Sequence, residues 1–233
     1  MKSLIFDASA VISITMNNLL WMLSELKKHF EGEFCICREV KSEIVDNPLN
    51  TKRFEFDALQ VLQSINSGIL SVREMEDAKR LSFQLLDLAN HSFRAKGSWI
   101  NIVHKGEIES LATCILMKSD AFVVDERTTR LLIESPRALK DLLQSKLHSR
   151  IDLNRQNLHK FAELSRGVKV IRSVELATIA FEKGILDQYL LPNGKEDPKR
   201  VLLDAVLWSL KLKGCAIPKS EINEIVEMEI PLK

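Results

Sequence analysis

Four acidic residues stand at positions where they could hold a cation together: Asp7 directly after the apolar run KSLIF (2–6), Glu43 within the helix-like stretch that follows FCIC (34–37), Glu107 at the start of a helix, and Asp125 directly after AFVV (121–124). Carboxylates gathered within a few ångström repel one another by several kcal/mol unless a cation compensates them. No histidine or thiolate accompanies them, and an all-oxygen donor set suits Mg²⁺ or Mn²⁺, which keep several waters and bind substrate phosphate. Such a centre can activate water and offset charge on a leaving oxygen, which is the chemistry of phosphodiester hydrolysis. Taken singly, each acid also has an ordinary structural account. Asp7 or Ser9 could cap the next helix, Glu43 could be a solvated helix residue, Glu107 and Glu109 could complement a helix macrodipole, and Asp125-Glu126 could be a plain turn. The argument rests on their joint placement.

That placement depends on the elements. Lys2 to Phe6 reads as a strand and Ala10 to Phe30 as one amphipathic helix ended by Gly32. Phe34 to Cys37 reads as a second strand, and Arg38 to Val45 as a helix stopped by Asn47-Pro48. Thr51 to Ile65 and Met75 to Phe93 read as helices on either side of a short strand, Ile69 to Val72, with a loop at Gly97 and Ser98. Glu107 to Met117 carries an apolar stripe of Ile108, Leu111, Ala112 and Ile115, and leads into the strand Ala121 to Val124. Arg127 to Ser165 is polar and helical, Val168 to Ile171 is a strand, and Val174 to Lys183 is a helix capped by Gly184. Helices from about Pro198 to Leu212 and from Ser220 to Met228 close the chain, the latter opening on a capping box from Ser220 to Asn223 or Glu224. Short two-sided apolar runs alternating with helices imply an α/β fold with a mainly parallel sheet of four or five strands, covered on both faces. Ligands bind such sheets at the carboxyl ends of the strands, where the strand order reverses. Asp7 and Asp125 would both emerge there.

The chain has 233 residues, enough for a single domain with a helical extension, and its 45 % apolar and 28 % charged residues are ordinary globular composition. No apolar run approaches the roughly 20 residues of a membrane span, and the opening lacks the pattern of a signal peptide, so a cytoplasmic protein without membrane association is expected. Cys35, Cys37, Cys114 and Cys215 lie in apolar surroundings without paired spacing and read as reduced core residues. The formal net charge of +1 is uninformative, but 127–166 holds nine Lys or Arg against four Asp or Glu, about +5. That excess could contact several phosphates or could be a solvated helical face.

These residues resemble a known family, the PIN-domain nucleases, and in particular its compact prokaryotic members. The opening LIFDASAVISI looks like the family's first strand and Asp, and Cys37 to Ile44 (CREVKSEI) looks like its second motif, ending in the acidic Glu43. The segment GEIESLATCILMKSDAFVVDERTTR resembles the family's acidic helix start, buried strand and terminal Asp, with Glu107 eighteen residues before Asp125. VIRSVELATIAFEKGIL and LLDAVLWSLKLKGCAIPKSEINEIV look like the last strand and closing helices, with Ser173 in the place of a small hydroxyl residue that accompanies the acids. The resemblance implies one PIN-like domain over 1–233, a three-layer α/β/α sandwich with a longer helical insertion at about 131–167 and closing helices at about 198–229. It implies a Mg²⁺- or Mn²⁺-dependent endoribonuclease with Asp7, Glu43, Glu107 and Asp125 as catalytic ligands. Ser9, Arg127, Arg130 and Ser173 would touch the RNA substrate.

Two features depart from the family's pattern. The third acid is Glu107 where many members have Asp, and Glu109 competes with it; two positions apart is about 200° around a helix, so only one can point inward. The insertion coincides with the basic excess and could be a substrate-holding arm or a homodimer contact. The competing reading is a PIN-fold scaffold with weak catalysis, held by an antitoxin or within an RNA-processing assembly. A phosphatase or receiver domain ranks last, because the first strand ends in a single acid and position 9 is Ser.

Overall fold

The structure, a computed structural model, describes residues 2–190 and 197–230; the remainder of the expected 1–233 domain lies outside the described residues. In chain order the elements begin with β1 (Ser3–Phe6), α1 (Ala8–Met16), α2 (Met22–Phe30), β2 (Glu33–Cys37) and α3 (Arg38–Lys41). A π turn (Ser42–Asp46) joins α3 to α4 (Asn47–Leu49), followed by α5 (Glu55–Asn66), β3 (Ser71–Arg73), α6 (Glu76–Asn90), β4 (Phe93–Ala95) and β5 (Ser98–Trp99). Then come α7 (Lys105–Met117), β6 (Ala121–Val123), α8 (Arg127–Glu134), α9 (Pro136–Leu147), β7 (Ile151–Leu153) and α10 (Arg155–Leu164). The chain closes with β8 (Val170–Ile171), α11 (Ser173–Glu182), a 3-10 turn (Asp187–Tyr189), α12 (Pro198–Leu212) and α13 (Lys219–Glu229).

The principal sheet has the order β3-β2-β1-β6-β8, and every pairing in it is parallel. From β1 the chain lays down β2 and β3 on one side, then returns to place β6 and β8 on the other. The strand order therefore reverses between β1 and β6, which leaves a crevice at their carboxyl ends. Burial alternates as a sheet covered on both faces requires. Leu4, Phe6, Phe34, Ile36 and Val123 pack toward α1, α2, α11 and α12, while Ile5, Cys35 and Phe122 pack toward α6, α7 and the insertion. This is a three-layer α/β/α sandwich with C-terminal helices. All four cysteines are free and buried. Among the described residues no helix is long and apolar enough to cross a membrane.

Several local expectations need correction. The expected helix Ala10–Phe30 is two helices, because Asn18 takes a left-handed conformation (φ 55°) that breaks the winding. Pro48 does not stop the helix before it; the π turn carries the chain through, and Pro48 sits in the first turn of α4, where its missing N–H costs nothing. The expected Ser220 capping box is absent: α13 starts after Pro218 with no side-chain cap. Gly97 belongs to a tight hairpin between β4 and β5, with Lys96 and Gly97 both at positive φ, as a type I′ turn demands. The stretch 127–165 is not wholly helical either. β7 pairs antiparallel with β4, Phe93 opposite Leu153, in a second sheet of order β5-β4-β7. Together with buried Leu139, Ile151 and Phe161, this fastens the insertion to the body of the domain.

Candidate metal centre

Asp7 ends β1 and caps α1. Its Oδ2 accepts hydrogen bonds from the Ser9 backbone N–H (3.0 Å) and from Ser9 Oγ (2.5 Å). Ser9 Oγ in turn accepts from the backbone N–H groups of Asp125 (3.1 Å) and Glu126 (3.3 Å), so one hydroxyl ties the ends of β1 and β6 together. The other oxygen, Asp7 Oδ1, is buried and has no hydrogen-bond partner among the described residues. A buried acceptor left unsatisfied costs on the order of 1–3 kcal/mol, more if charged. Burial accordingly raises the Asp7 pKa against the lowering effect of the Ser9 hydrogen bonds, and the nearby charge of Glu126 raises it further.

Two more carboxylates share this neighbourhood. Glu107, on the first turn of α7, is pushed up to about 7 by burial and then by the charge of Asp7. Its Oε2 accepts from the His104 backbone N–H (3.1 Å) and from Thr129 Oγ1 (2.9 Å). Glu43 lies in the π turn, where the extra residue per turn changes the helical phase. It keeps an exposed edge, and partial enclosure, then the charges of Asp7 and Glu39, raise its pKa. Gly106 makes room for it, since a Cβ there would lie 3.1 Å from Glu43 Oε2. Burial raises all three carboxyls, and for Glu43 and Glu107 the charge of Asp7 adds to it. They are not gathered around a point: among the described residues no group of three or more His, Cys, Asp or Glu stands ready to hold a metal ion.

The fourth expected ligand is differently placed. Asp125 is wholly buried, and its two oxygens accept from the Ser173 backbone N–H (2.7 Å) and Ser173 Oγ (2.6 Å), anchoring the start of α11. Ser173 is equally buried, and the contact it makes is this one. Glu109 is also turned away: it is buried on another side of α7 and accepts from the Glu39 backbone N–H (3.4 Å). Glu107 is therefore the α7 acid that faces Asp7. Glu126, which the sequence suggests only as part of a turn, caps α8 through Thr129 N–H (2.7 Å) while acting electrostatically on both Asp7 and Glu107. Its adjacency to Asp125 was the available signal.

Arg127 and Arg130 line an open groove of about 530 Å³ with Lys211 and Glu221. Arg130 donates to the Ala216 carbonyl (3.4 Å), its buried Nε has no partner among the described residues, and Ala216 N–H donates to the Asp125 carbonyl (3.3 Å). The basic groove and the acidic crevice are joined by that segment. The donor chemistry fits a hard cation: carboxylate oxygens alone, with one buried oxygen lacking any partner, at a strand-order reversal. Compared with protein-family models, with curated proteins and with solved structures, the chain gives no match.

Proposed function

We propose that this chain is a divalent-cation-dependent endoribonuclease of the PIN-domain type, in which Asp7, Glu43 and Glu107 hold Mg²⁺ or Mn²⁺ and Asp125 fixes the crevice by anchoring Ser173. The observation that carries the reading is the orphaned Asp7 Oδ1, near Glu43 and Glu107, whose carboxyls are both pushed up by burial first and by the charge of Asp7 second. A cation removes that cost, and when bound supplies water activation and charge neutralisation at a phosphodiester. Ser9 sets the rotamer of Asp7 and ties the strand ends; Thr129 and the His104 N–H orient Glu107; Glu126 adds negative charge at the rim. Arg127, Arg130 and Lys211 offer the flanking RNA backbone positive charge without reading sequence. Free, buried cysteines accord with a reducing cytoplasmic setting.

The test is calorimetric Mn²⁺ titration of wild type and Asp7→Asn, with cleavage of a mixed-structure RNA followed on the same samples. Binding and Mn²⁺-dependent cleavage, both lost in the variant, are expected. Binding without cleavage would favour a PIN-fold scaffold held by an antitoxin or a second copy, and absence of binding would overturn the metal centre.

A further inference from the structure

Next to the carboxylates lies a concavity that the chemistry above leaves unused. It has a volume of about 250 Å³, is walled by Val11 and Ile12 of α1, Ile44 of the π turn and Val61 of α5, and is edged by Phe54, Asp57 and Glu43. Glu43 belongs to both regions, since its Oε2 would lie 3.1 Å from a Cβ at Gly106, next to Glu107, while its side chain borders this pocket. Whatever occupies the pocket therefore abuts whatever occupies the acidic crevice.

The lining selects its occupant. The walls are apolar, and the polar groups present only lone pairs. Thr15 spends its hydroxyl proton on the Val11 carbonyl (2.8 Å), while Asp57 and Glu43 are carboxylates. Two cations shortly precede Asp57: Lys52 is engaged by Glu55 (3.3 Å), and the Arg53 guanidinium lies against the Phe54 ring and is not among the residues that line the pocket. A ligand here must be flat enough to lie against apolar side chains and must bring hydrogen-bond donors. Phe54 adds an aromatic face: it is 46 % exposed, it holds a left-handed backbone (φ 62°) that an aromatic residue seldom adopts, and the Arg53 guanidinium lies 4.8 Å from its ring centroid. Unstacked RNA bases are held by such aromatic faces and read on their Watson–Crick edges. Among the four bases only guanine presents two adjacent donors, N1–H and the N2 amino group, which match the two oxygens of one carboxylate. Adenine and cytosine set a ring acceptor beside their amino group, and uracil flanks its single N–H with carbonyls.

We propose that this pocket receives an unpaired guanine of the RNA strand, stacked on Phe54 with Asp57 accepting from N1–H and N2–H, and so makes guanine the preferred base beside the bond that is cut. The inference rests on the ribonuclease reading for its substrate, while the pocket can be tested apart from cleavage. The four nucleoside 5′-monophosphates would be titrated into the full chain and into Asp57→Asn and Phe54→Ala, with calorimetry for affinity and amide NMR shifts for location. Both side chains are partly exposed, and far-UV circular dichroism checks that each variant is folded. GMP should bind at least about 10-fold more tightly than the other three and shift amides around 54–61, since losing one matched polar pair costs on the order of a decade. Asp57→Asn should abolish the preference, and Phe54→Ala should weaken GMP about 5- to 150-fold, the range expected for one base–aromatic stack.

Equal binding of the four nucleotides, or a preference that neither variant moves, would overturn the pocket. A parallel assay would cleave single-stranded RNA carrying one guanosine, or inosine in its place. Mn²⁺-dependent cleavage indifferent to that base, without GMP binding, would retain the nuclease and discard the guanine pocket. The expected GMP pattern without cleavage of any RNA would do the reverse, leaving a mononucleotide site.

Discussion

Asp7 and Asp125 are the same residue type at the ends of adjacent parallel strands, both buried, and their oxygens are met differently. Asp125 has each oxygen paired, one with the N–H and one with the hydroxyl of Ser173. Asp7 has one oxygen paired and one that no described residue satisfies. A fully paired buried carboxylate is a structural strut; a half-paired one stores unfavourable energy that a cation, a proton or an ordered water relieves. Position at a sheet edge therefore does not separate the ligand proposed here from an anchor, and the count of satisfied oxygens is the feature in which the two differ.

The largest effect expected from that contrast is on cleavage. Asp7→Asn should lower the Mn²⁺-dependent rate by about 1,000-fold, the scale of several kcal/mol from a lost cation. It should leave the melting temperature equal or higher, because it removes a buried acid with an unpaired oxygen. A melting temperature well below that of wild type would make Asp7 a strut like Asp125 and end the comparison. Next in size, Asp125→Ala removes two hydrogen bonds to a charged group and strands the Ser173 donors. It should destabilise the fold by about 3 kcal/mol in urea melts.

The third prediction concerns pH. Glu107 titrates near 4.5 when unfolded and is pushed up to about 7 in the fold, so the folded state favours its protonated form. Its contribution to stability is complete below about pH 4.5 and is lost as pH rises through about 7. Allowing for partial solvent screening, metal-free protein should lose roughly 1–2 kcal/mol across that window. Mn²⁺ should restore it at pH 8, and Glu107→Gln should flatten it. Thermal melts at pH 5 and pH 8 with and without Mn²⁺ measure all three. The smallest effect sharpens the role of Glu43: in Gly106→Ala the new methyl would crowd Glu43 Oε2 and weaken Mn²⁺ affinity about 10-fold, as loss of a supporting contact does. Unchanged affinity would place Glu43 outside the cation's reach.

Much of this was legible in the sequence because it is local. A four-residue apolar run ending in Asp is visible as such, and so are the strands that carry Asp7 and Asp125 to a common edge. The choice between Glu107 and Glu109 was not legible, because it depends on the phase of α7, set where Glu107 reaches back to the His104 N–H. The partner of Asp125 lies 48 residues away, a distance over which composition and periodicity carry no information. β7 was missed because three residues are too few to display alternation, and its partner β4 precedes it by more than fifty positions. Asn18 was hidden for another reason: an apolar stripe before it and another after it read as a single period, and only the backbone angle separates them.

The π turn between α3 and α4 has an implication for how such a chain can change length. Ordinary winding would need one residue fewer, so the segment behaves as a helix bearing a single-residue insertion. Deleting one position there would regularise the hydrogen bonding yet swing α3 by about 100° relative to α4. Either Ile44 and Val45 would leave the core or Glu43 would leave the crevice. Gaps in this helix should therefore be tolerated only alongside loss of the acid, whereas the Lys96–Gly97 hairpin tip, with Lys96 at φ 49° and Gly97 at φ 85°, can lengthen without touching the crevice.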